Sequence, residues 1–241
     1  NFNLTNVAEL FDSLIRAGQH PRNYSDTVTL LEKVGYFLDD EIQDLYHFFK
    51  DKGFSKQEIT PLIEQAIDLP KVLARSSADW DGGYAVAGVL GHGDAFVVRD
   101  PWGIRPAYYY KDDEVVVVAS EGSVIQTAFQ GMNMDIQEIK PGYALIIKKD
   151  GTVTEELVRP PLKRSSCSFE RIYFSRGNDR NIYRERKKLG ELLTPQIIRA
   201  VDDDLDNTVF SFIPNTAETS FYGMVAGVQQ YMVEEKKRLI R

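Results

Sequence analysis

The sequence predicts an α+β chain on three observations: helical spacing of apolar residues before Asp81, short β-rich runs from there to residue 157, and a return to helix beyond residue 180. The first helix follows Asn6, whose spacing to Glu9 is that of a capping box, and Val7, Leu10, Phe11, Leu14 and Ile15 form its apolar stripe before Gly18. A second helix is expected after Ser25-Asp26 through Val28, Leu31, Val34 and Leu38, and a third carries Ile42, Leu45, Tyr46 and Phe49 up to Gly53. Another capping box, Ser55 to Glu58, opens the fourth.

At Asp81-Gly82-Gly83 the period changes. Strands are expected over residues 84–90, 95–99, 104–110 and 115–119, separated by turn residues such as Gly91-His92-Gly93-Asp94 and Lys111-Asp112-Asp113. Connections this short favour antiparallel pairing. Residues 120–129 read as a helix, and strands at 143–148 and 152–157 flank a hairpin turn at Lys149-Asp150-Gly151. Helices followed by packed antiparallel strands describe a layered α+β domain. The Pro-rich, basic stretch 159–166 is the linker candidate, with a boundary near residue 160 separating domains 1–160 and 161–241. Beyond it a long helix is expected over 181–200, then a buried strand at 208–213, a Pro214-Asn215-Thr216 loop and a helix from about Ala217, the order that opens an α/β unit.

The 241 residues suffice for one large core or two smaller ones. With 29 basic against 36 acidic side chains and a formal charge of −7, the chain has no electrostatic footprint for nucleic acid or an anionic membrane. No apolar run approaches the roughly 20 residues of a membrane span. A single cysteine, Cys167, excludes an intrachain disulfide, and a cytoplasmic location is expected. With Asn1 in place of an initiator Met and a helix start almost at once, an internal fragment is expected.

Composition and periodicity stop there; the motifs go further. Asn1-Phe2-Asn3-Leu4-Thr5-Asn6, Tyr24-Ser25-Asp26, Arg99-Asp100-Pro101-Trp102-Gly103-Ile104-Arg105-Pro106, Ala119-Ser120-Glu121 and Lys140-Pro141-Gly142 resemble, in that order, the motifs of class II glutamine amidotransferases. The run from Cys167 to Arg176 and Ile182-Tyr183-Arg184-Glu185-Arg186 resemble the segment that joins glutaminase to transferase in the amidophosphoribosyltransferases. The resemblance implies an αββα-layered N-terminal-nucleophile hydrolase domain, incomplete here, followed by the start of a type I phosphoribosyltransferase domain. It implies a purine-biosynthetic enzyme, expected as a homo-oligomer, that takes ammonia from glutamine to make 5-phosphoribosylamine from phosphoribosyl pyrophosphate with magnesium. Some members of the family also carry an iron-sulfur cluster.

The resemblance places site residues one by one. Asn1 matches the asparagine whose amide faces the tetrahedral oxyanion, where a preorganised donor contributes about 3 to 4 kcal/mol; a turn asparagine is the plainer reading. Phe2 departs from the family's Asn-Gly pair but keeps the backbone N–H that would be the second donor. Asp26 matches the aspartate that binds the α-ammonium of glutamine, although Asp is also a good helix cap. Tyr183 and Arg186 match positions that couple the two sites, and an amphipathic helix face would explain them equally well. The Arg99 to Pro106 run reads as scaffold, the three Asp from Asp202 to Asp204 as a solvated turn, Cys167 as a small hydrophobe, and His20, His47 and His92 receive no role. The family's nucleophilic cysteine and its acidic phosphate-binding loop are both missing from residues 1–241, so this polypeptide alone is expected to turn over neither substrate. Two rivals remain at this point: the glutaminase of another class II enzyme, such as a sugar-phosphate aminating one, and a diverged, non-catalytic relative.

Overall fold

The computed structural model of the protein describes residues 2–129 and 134–240, the side chain of Phe2 excepted. It parts into two compact units, residues 1–166 and 167–241. Each is taken by itself.

The first unit is α+β, and all its strand pairs are antiparallel. Strand β1 (Phe2–Leu4) leads into helices α1 (Val7–Arg16), α2 (Asp26–Asp51), α3 (Lys56–Ala66) and α4 (Leu69–Ser77). Strands β2 (Gly82–Val89), β3 (Ala95–Arg99), β4 (Tyr108–Lys111) and β5 (Val116–Ala119) follow, then helix α5 (Gly122–Ala128) and strands β6 (Gln137–Glu138), β7 (Tyr143–Ile147) and β8 (Val153–Leu157). One sheet runs β1-β2-β3-β7-β8 and a smaller one β5-β4-β6.

Alternation along β3 and β7 divides the core in two, because successive side chains leave a strand on opposite faces. Phe96, Val98, Ala144 and Ile146 join Leu10 of α1, Leu30 of α2, and Leu69 and Leu73 of α4 in one cluster. Val97 and Leu145 point the other way and meet Ala107, Tyr109 and Ile139 around the small sheet. Each of the Val, Leu, Ile and Phe side chains among them contributes about 1.5 to 3 kcal/mol on burial. The four helices therefore cover one face of the large sheet and the small sheet covers the other.

Four expectations for this unit need correction. The second and third helices are one, α2, of 26 residues. The acidic run Asp39-Asp40-Glu41 does not break it, because Asp40 accepts from Arg75 at 2.6 Å and buried Glu41 from Lys71 at 2.5 Å, so this run faces α4. Helix α4 was not anticipated from apolar spacing; its signals are local, with the Asp68 carboxylate accepting the Lys71 N–H at 2.9 Å and Pro70 in the first turn. Residues 104–107 are not strand, since the Ile104 and Arg105 N–H groups are spent on the Asp100 carboxylate. The Ser55 capping box does form, with Glu58 accepting the Ser55 N–H at 2.9 Å. The one at Asn6 does not, for Asn6 makes no capping bond.

In the second unit a π-helical turn (Glu170–Phe174) precedes helices α6 (Arg180–Ala200) and α7 (Glu218–Ile240). These two helices pack with their backbones almost touching: a Cβ added at Gly190 would lie 1.8 Å from the Ser220 carbonyl oxygen, and one at Gly223 1.9 Å from that of Lys187. The buried strand expected at 208–213 is absent. Among the described residues this unit has no strand to pair with it, and Val209 and Ile213 are 93% and 83% exposed. No described helix is long and apolar enough to cross a membrane.

Candidate functional site

Two of the motifs, Arg99 to Pro106 and Lys140-Pro141-Gly142, far apart in sequence, meet at one corner of the first unit. Its centre is Arg99, fully buried at the end of β3. Its guanidinium donates to the carbonyls of Arg105 at 2.7 Å, Ile139 at 2.5 Å and Gly103 at 3.2 Å, and pairs with Glu138 at 2.9 Å. Asp100, equally buried, turns the other way. Its carboxylate accepts the N–H groups of Trp102, Ile104 and Arg105 at 3.1, 2.9 and 3.0 Å, and that of Tyr84 in β2 at 3.3 Å. Buried charge is tolerated when its polar atoms find partners, and here every nitrogen of the guanidinium and both carboxylate oxygens have at least one.

Lys140-Pro141-Gly142 closes the same corner. Gly103 and Gly142 both have left-handed backbone, at φ +63° and +78°, and a Cβ on Gly142 would lie 2.2 Å from the Arg159 carbonyl oxygen. Only glycine fits. The Gly142 N–H donates to the Asp100 carbonyl, and Leu162 and Ser165 donate to the carbonyls of Pro101 and Trp102, so part of the expected linker is bound to this corner. The Arg99 to Pro106 run thus has the internal bonding of a scaffold, and Lys140-Pro141-Gly142 builds part of its surroundings.

The substrate-facing candidates lie elsewhere in the unit. Asn1 is outside the described residues. Phe2 begins β1, opposite Tyr84 of β2, with Asn3 opposite Gly83 and Leu4 opposite Gly82. Tyr84 is completely buried, and burial raises the pKa of its phenol. Asp26 is the first residue of α2. The cap belongs to its neighbour Ser25, whose Oγ accepts the Val28 N–H at 3.3 Å, which leaves the half-buried Asp26 carboxylate with the adjacent Thr27 N–H at 2.8 Å. An edge-on contact of Phe11 with Tyr24, centroids 5.0 Å apart, ties this motif to α1, the helix that follows β1.

Tyr183 and Arg186 belong to α6 in the second unit. Tyr183 is exposed, while Arg186 is buried and donates to the carbonyls of Ser175 at 2.6 Å and Arg171 at 3.2 Å. Burial lowers its pKa. It thereby holds the end of the π-helical turn against α6. Cys167 is half-buried.

For magnesium, the described residues offer no gathered set of three or more His, Cys, Asp or Glu ligands. The run Asp202 to Asp204 is an exposed turn, with Asp202 and Asp203 in left-handed backbone that Asp tolerates and Asp203 accepting the Tyr231 hydroxyl at 2.6 Å. Cys167 alone cannot hold an iron-sulfur cluster.

Sequence reasoning missed a set of polar residues behind β1. Asn6, read as a cap, instead spans to the Asp79–Asp81 segment: its Nδ2 donates to the Asp79 carbonyl at 2.8 Å and its Oδ1 accepts the Asp81 N–H at 3.2 Å. The partners are more than 70 positions away in sequence, beyond the reach of any local spacing rule; the Asp-Gly-Gly run beside them marked only a turn.

The architecture defines a class first: an α+β chain with antiparallel sheets of the kind seen in solved phosphoribosyl pyrophosphate amidotransferases. The glutamine phosphoribosylpyrophosphate amidotransferase of Bacillus subtilis, solved with ADP and GMP, superposes with a TM-score of 0.65 at 23% identity, over 95% of this chain and 43% of that one. A second structure, described as the allosteric regulatory enzyme of purine biosynthesis, gives the same TM-score at 24% identity. No family model matches the chain. Curated sequences make the resemblance particular. The amidophosphoribosyltransferase of Pasteurella multocida is 28% identical over 227 residues, 90% of this chain and 41% of that protein, and the one of Methanothermobacter thermautotrophicus is 32% identical over 164 residues, 65% and 33%. The recognition drawn from the motifs is supported: the chain is similar to a stretch of amidophosphoribosyltransferase sequence, and it spans about two-fifths or less of the length of these relatives.

Proposed function

We propose that this chain is the part of an amidophosphoribosyltransferase in which the glutaminase half passes into the transferase half. The enzyme releases ammonia from glutamine, and that ammonia displaces pyrophosphate from C1 of phosphoribosyl pyrophosphate: a C–N bond forms, the C–O bond to pyrophosphate breaks, and the nitrogen sheds a proton. The observation that carries this reading is the corner at Arg99 and Asp100, where two of the amidotransferase motifs, Arg99 to Pro106 and Lys140-Pro141-Gly142, become one bonded structure, together with relatives that align over nine-tenths of the chain.

In this reading residues 1–160 belong to the layered N-terminal-nucleophile hydrolase domain and residues 161–241 open the type I phosphoribosyltransferase domain, in a cytoplasmic homo-oligomer. The Asn1 amide and the Phe2 N–H stabilise the oxyanion formed when the family's cysteine nucleophile attacks the glutamine amide. Such donors act because they are already aimed before charge develops. Asp26 binds the α-ammonium, and Tyr183 and Arg186 couple the sites. Magnesium would shield the pyrophosphate; the described residues gather no group of three or more candidate ligands for it, and no step here rests on it.

Asp26→Asn in the native-length protein tests the assignment. Removing a charge-assisted hydrogen bond costs about 1.5 to 3 kcal/mol, so the glutamine KM should rise by roughly 10- to 100-fold while activity driven by free ammonia stays unchanged. Equal losses with both nitrogen donors would place Asp26 in the scaffold instead.

A further inference from the structure

We infer that Thr5, Asn6, Asp79 and Asp81 form a positioning clamp that holds β1 in place for catalysis and ties it to the helix that begins with Asp26. The inference rests on the glutaminase reading above. Strand β1 carries the proposed oxyanion donor, which must be aimed to within a few tenths of an ångström. The protein strengthens it from behind. The Thr5 N–H donates to the Asp81 carbonyl at 2.8 Å, the Thr5 hydroxyl donates to the Asp81 carboxylate, and Asn6 bridges the Asp79 carbonyl and the Asp81 N–H.

Gly82 completes the fit. Its φ of +135° is closed to other residues, and a Cβ there would lie 2.2 Å from the Asn3 carbonyl oxygen, so β2 approaches β1 as closely as backbone allows. The other end of the clamp is Lys33, buried in α2, whose ammonium pairs with the Asp79 carboxylate. Lys33 stands about two turns beyond Asp26 on the same helix. The clamp thus sets the strand that carries the proposed oxyanion donor, Phe2, against the helix that carries the proposed ammonium ligand. Neither Asn6 nor Asp79 needs to touch glutamine; they are positioning residues.

The experiment uses the native-length protein with Asn6→Ala, and with Thr5→Val as a milder second variant that keeps side-chain volume. The expected result for Asn6→Ala is a tenfold or greater fall in glutamine-dependent kcat, about 1.4 kcal/mol of barrier. The glutamine KM should stay within twofold, ammonia-driven activity should stay unchanged, and amide exchange should quicken in Phe2–Leu4 but not in β3 or β7. Thr5→Val should show the same pattern more weakly and Thr5→Ser should restore it. Unchanged kcat in an active protein, or equal losses with glutamine and ammonia, overturns the clamp and leaves the glutaminase reading standing. Unchanged exchange in β1 overturns it regardless of activity. A wild-type protein that uses ammonia but never glutamine overturns the glutaminase reading, and the inference with it.

Discussion

In the first unit a fully buried arginine sits among acceptors that engage every nitrogen of its guanidinium, whereas in the second two helices meet backbone against backbone at glycines with no side chain between. The first unit also closes its core on both faces of a sheet. The second leaves Val209, Ile213, Leu239 and Ile240 more than four-fifths exposed. The contrast teaches where specificity resides in each. Around Arg99 it lies in directed hydrogen bonds, which fix a corner uniquely because any missing partner leaves a buried polar group unsatisfied. Between α6 and α7 it lies in the absence of side chains, which fixes only a distance.

The largest expected effect breaks the first of these. Arg99→Met keeps an apolar stem of similar length but strands the carbonyls of Gly103, Arg105 and Ile139 in a dry corner. Removing one member of such a buried ionic set costs about 3 to 5 kcal/mol, to be read from urea unfolding of the 241-residue polypeptide. A loss under about 1 kcal/mol, the net worth of one ordinary hydrogen bond, would mean that water reaches those carbonyls and that the corner is not a sealed scaffold.

A smaller loss is expected at the helix pair. Gly190→Ala places a methyl where the Ser220 carbonyl now lies, and forcing the helices apart should cost about 1 to 3 kcal/mol, as overpacking does elsewhere. The control is Gly35→Ala in α2, where an added Cβ meets nothing within 4 Å. There the sign should reverse, to a gain of about 0.5 to 1 kcal/mol, because alanine has less freedom to lose than glycine in a helix. Thermal melts of both variants check the pair. Matching signs would show that the α6–α7 contact is looser than it stands here.

How much of this was legible in the sequence follows from how local the causes are. The strands around Phe96, Val97 and Val98 and around Ala144, Leu145 and Ile146 were expected at nearly their observed limits, because alternation and turn residues act over a few positions. The helix joint expected near Asp39 failed because the partners of its acids, Lys71 and Arg75, lie some thirty residues ahead. Asn6 was misread for the same reason at greater range. At the site, the sequence left the cap open between Ser25 and Asp26, which the structure gives to Ser25, and nothing in the sequence marked Asp79 or Asp81 as neighbours of β1. The motif resemblance named the Arg99 corner without saying that Lys140-Pro141-Gly142 packs against it.

The strand expected at 208–213 marks the other limit, and the smallest predicted effect addresses it. Its pattern, Thr208-Val209-Phe210-Ser211-Phe212-Ile213, is that of a buried strand, yet a strand is a relation between chains of residues and not a property of one. Without a described partner ladder in this unit Val209 and Ile213 stand in solvent, Val209 most of all, while Phe212 rests on Phe221. Val209→Thr in the 241-residue polypeptide should therefore change stability by less than about 0.5 kcal/mol, as exposed substitutions do. If the transferase reading is right, the same substitution in the native-length protein places a hydroxyl inside a completed sheet and should cost about 1 to 3 kcal/mol. Paired denaturation curves measure both. An equally small effect in the two settings would sink the strand, and with it the proposal that residues 161–241 open a phosphoribosyltransferase domain; a large effect in the short polypeptide would mean instead that Val209 is already covered there.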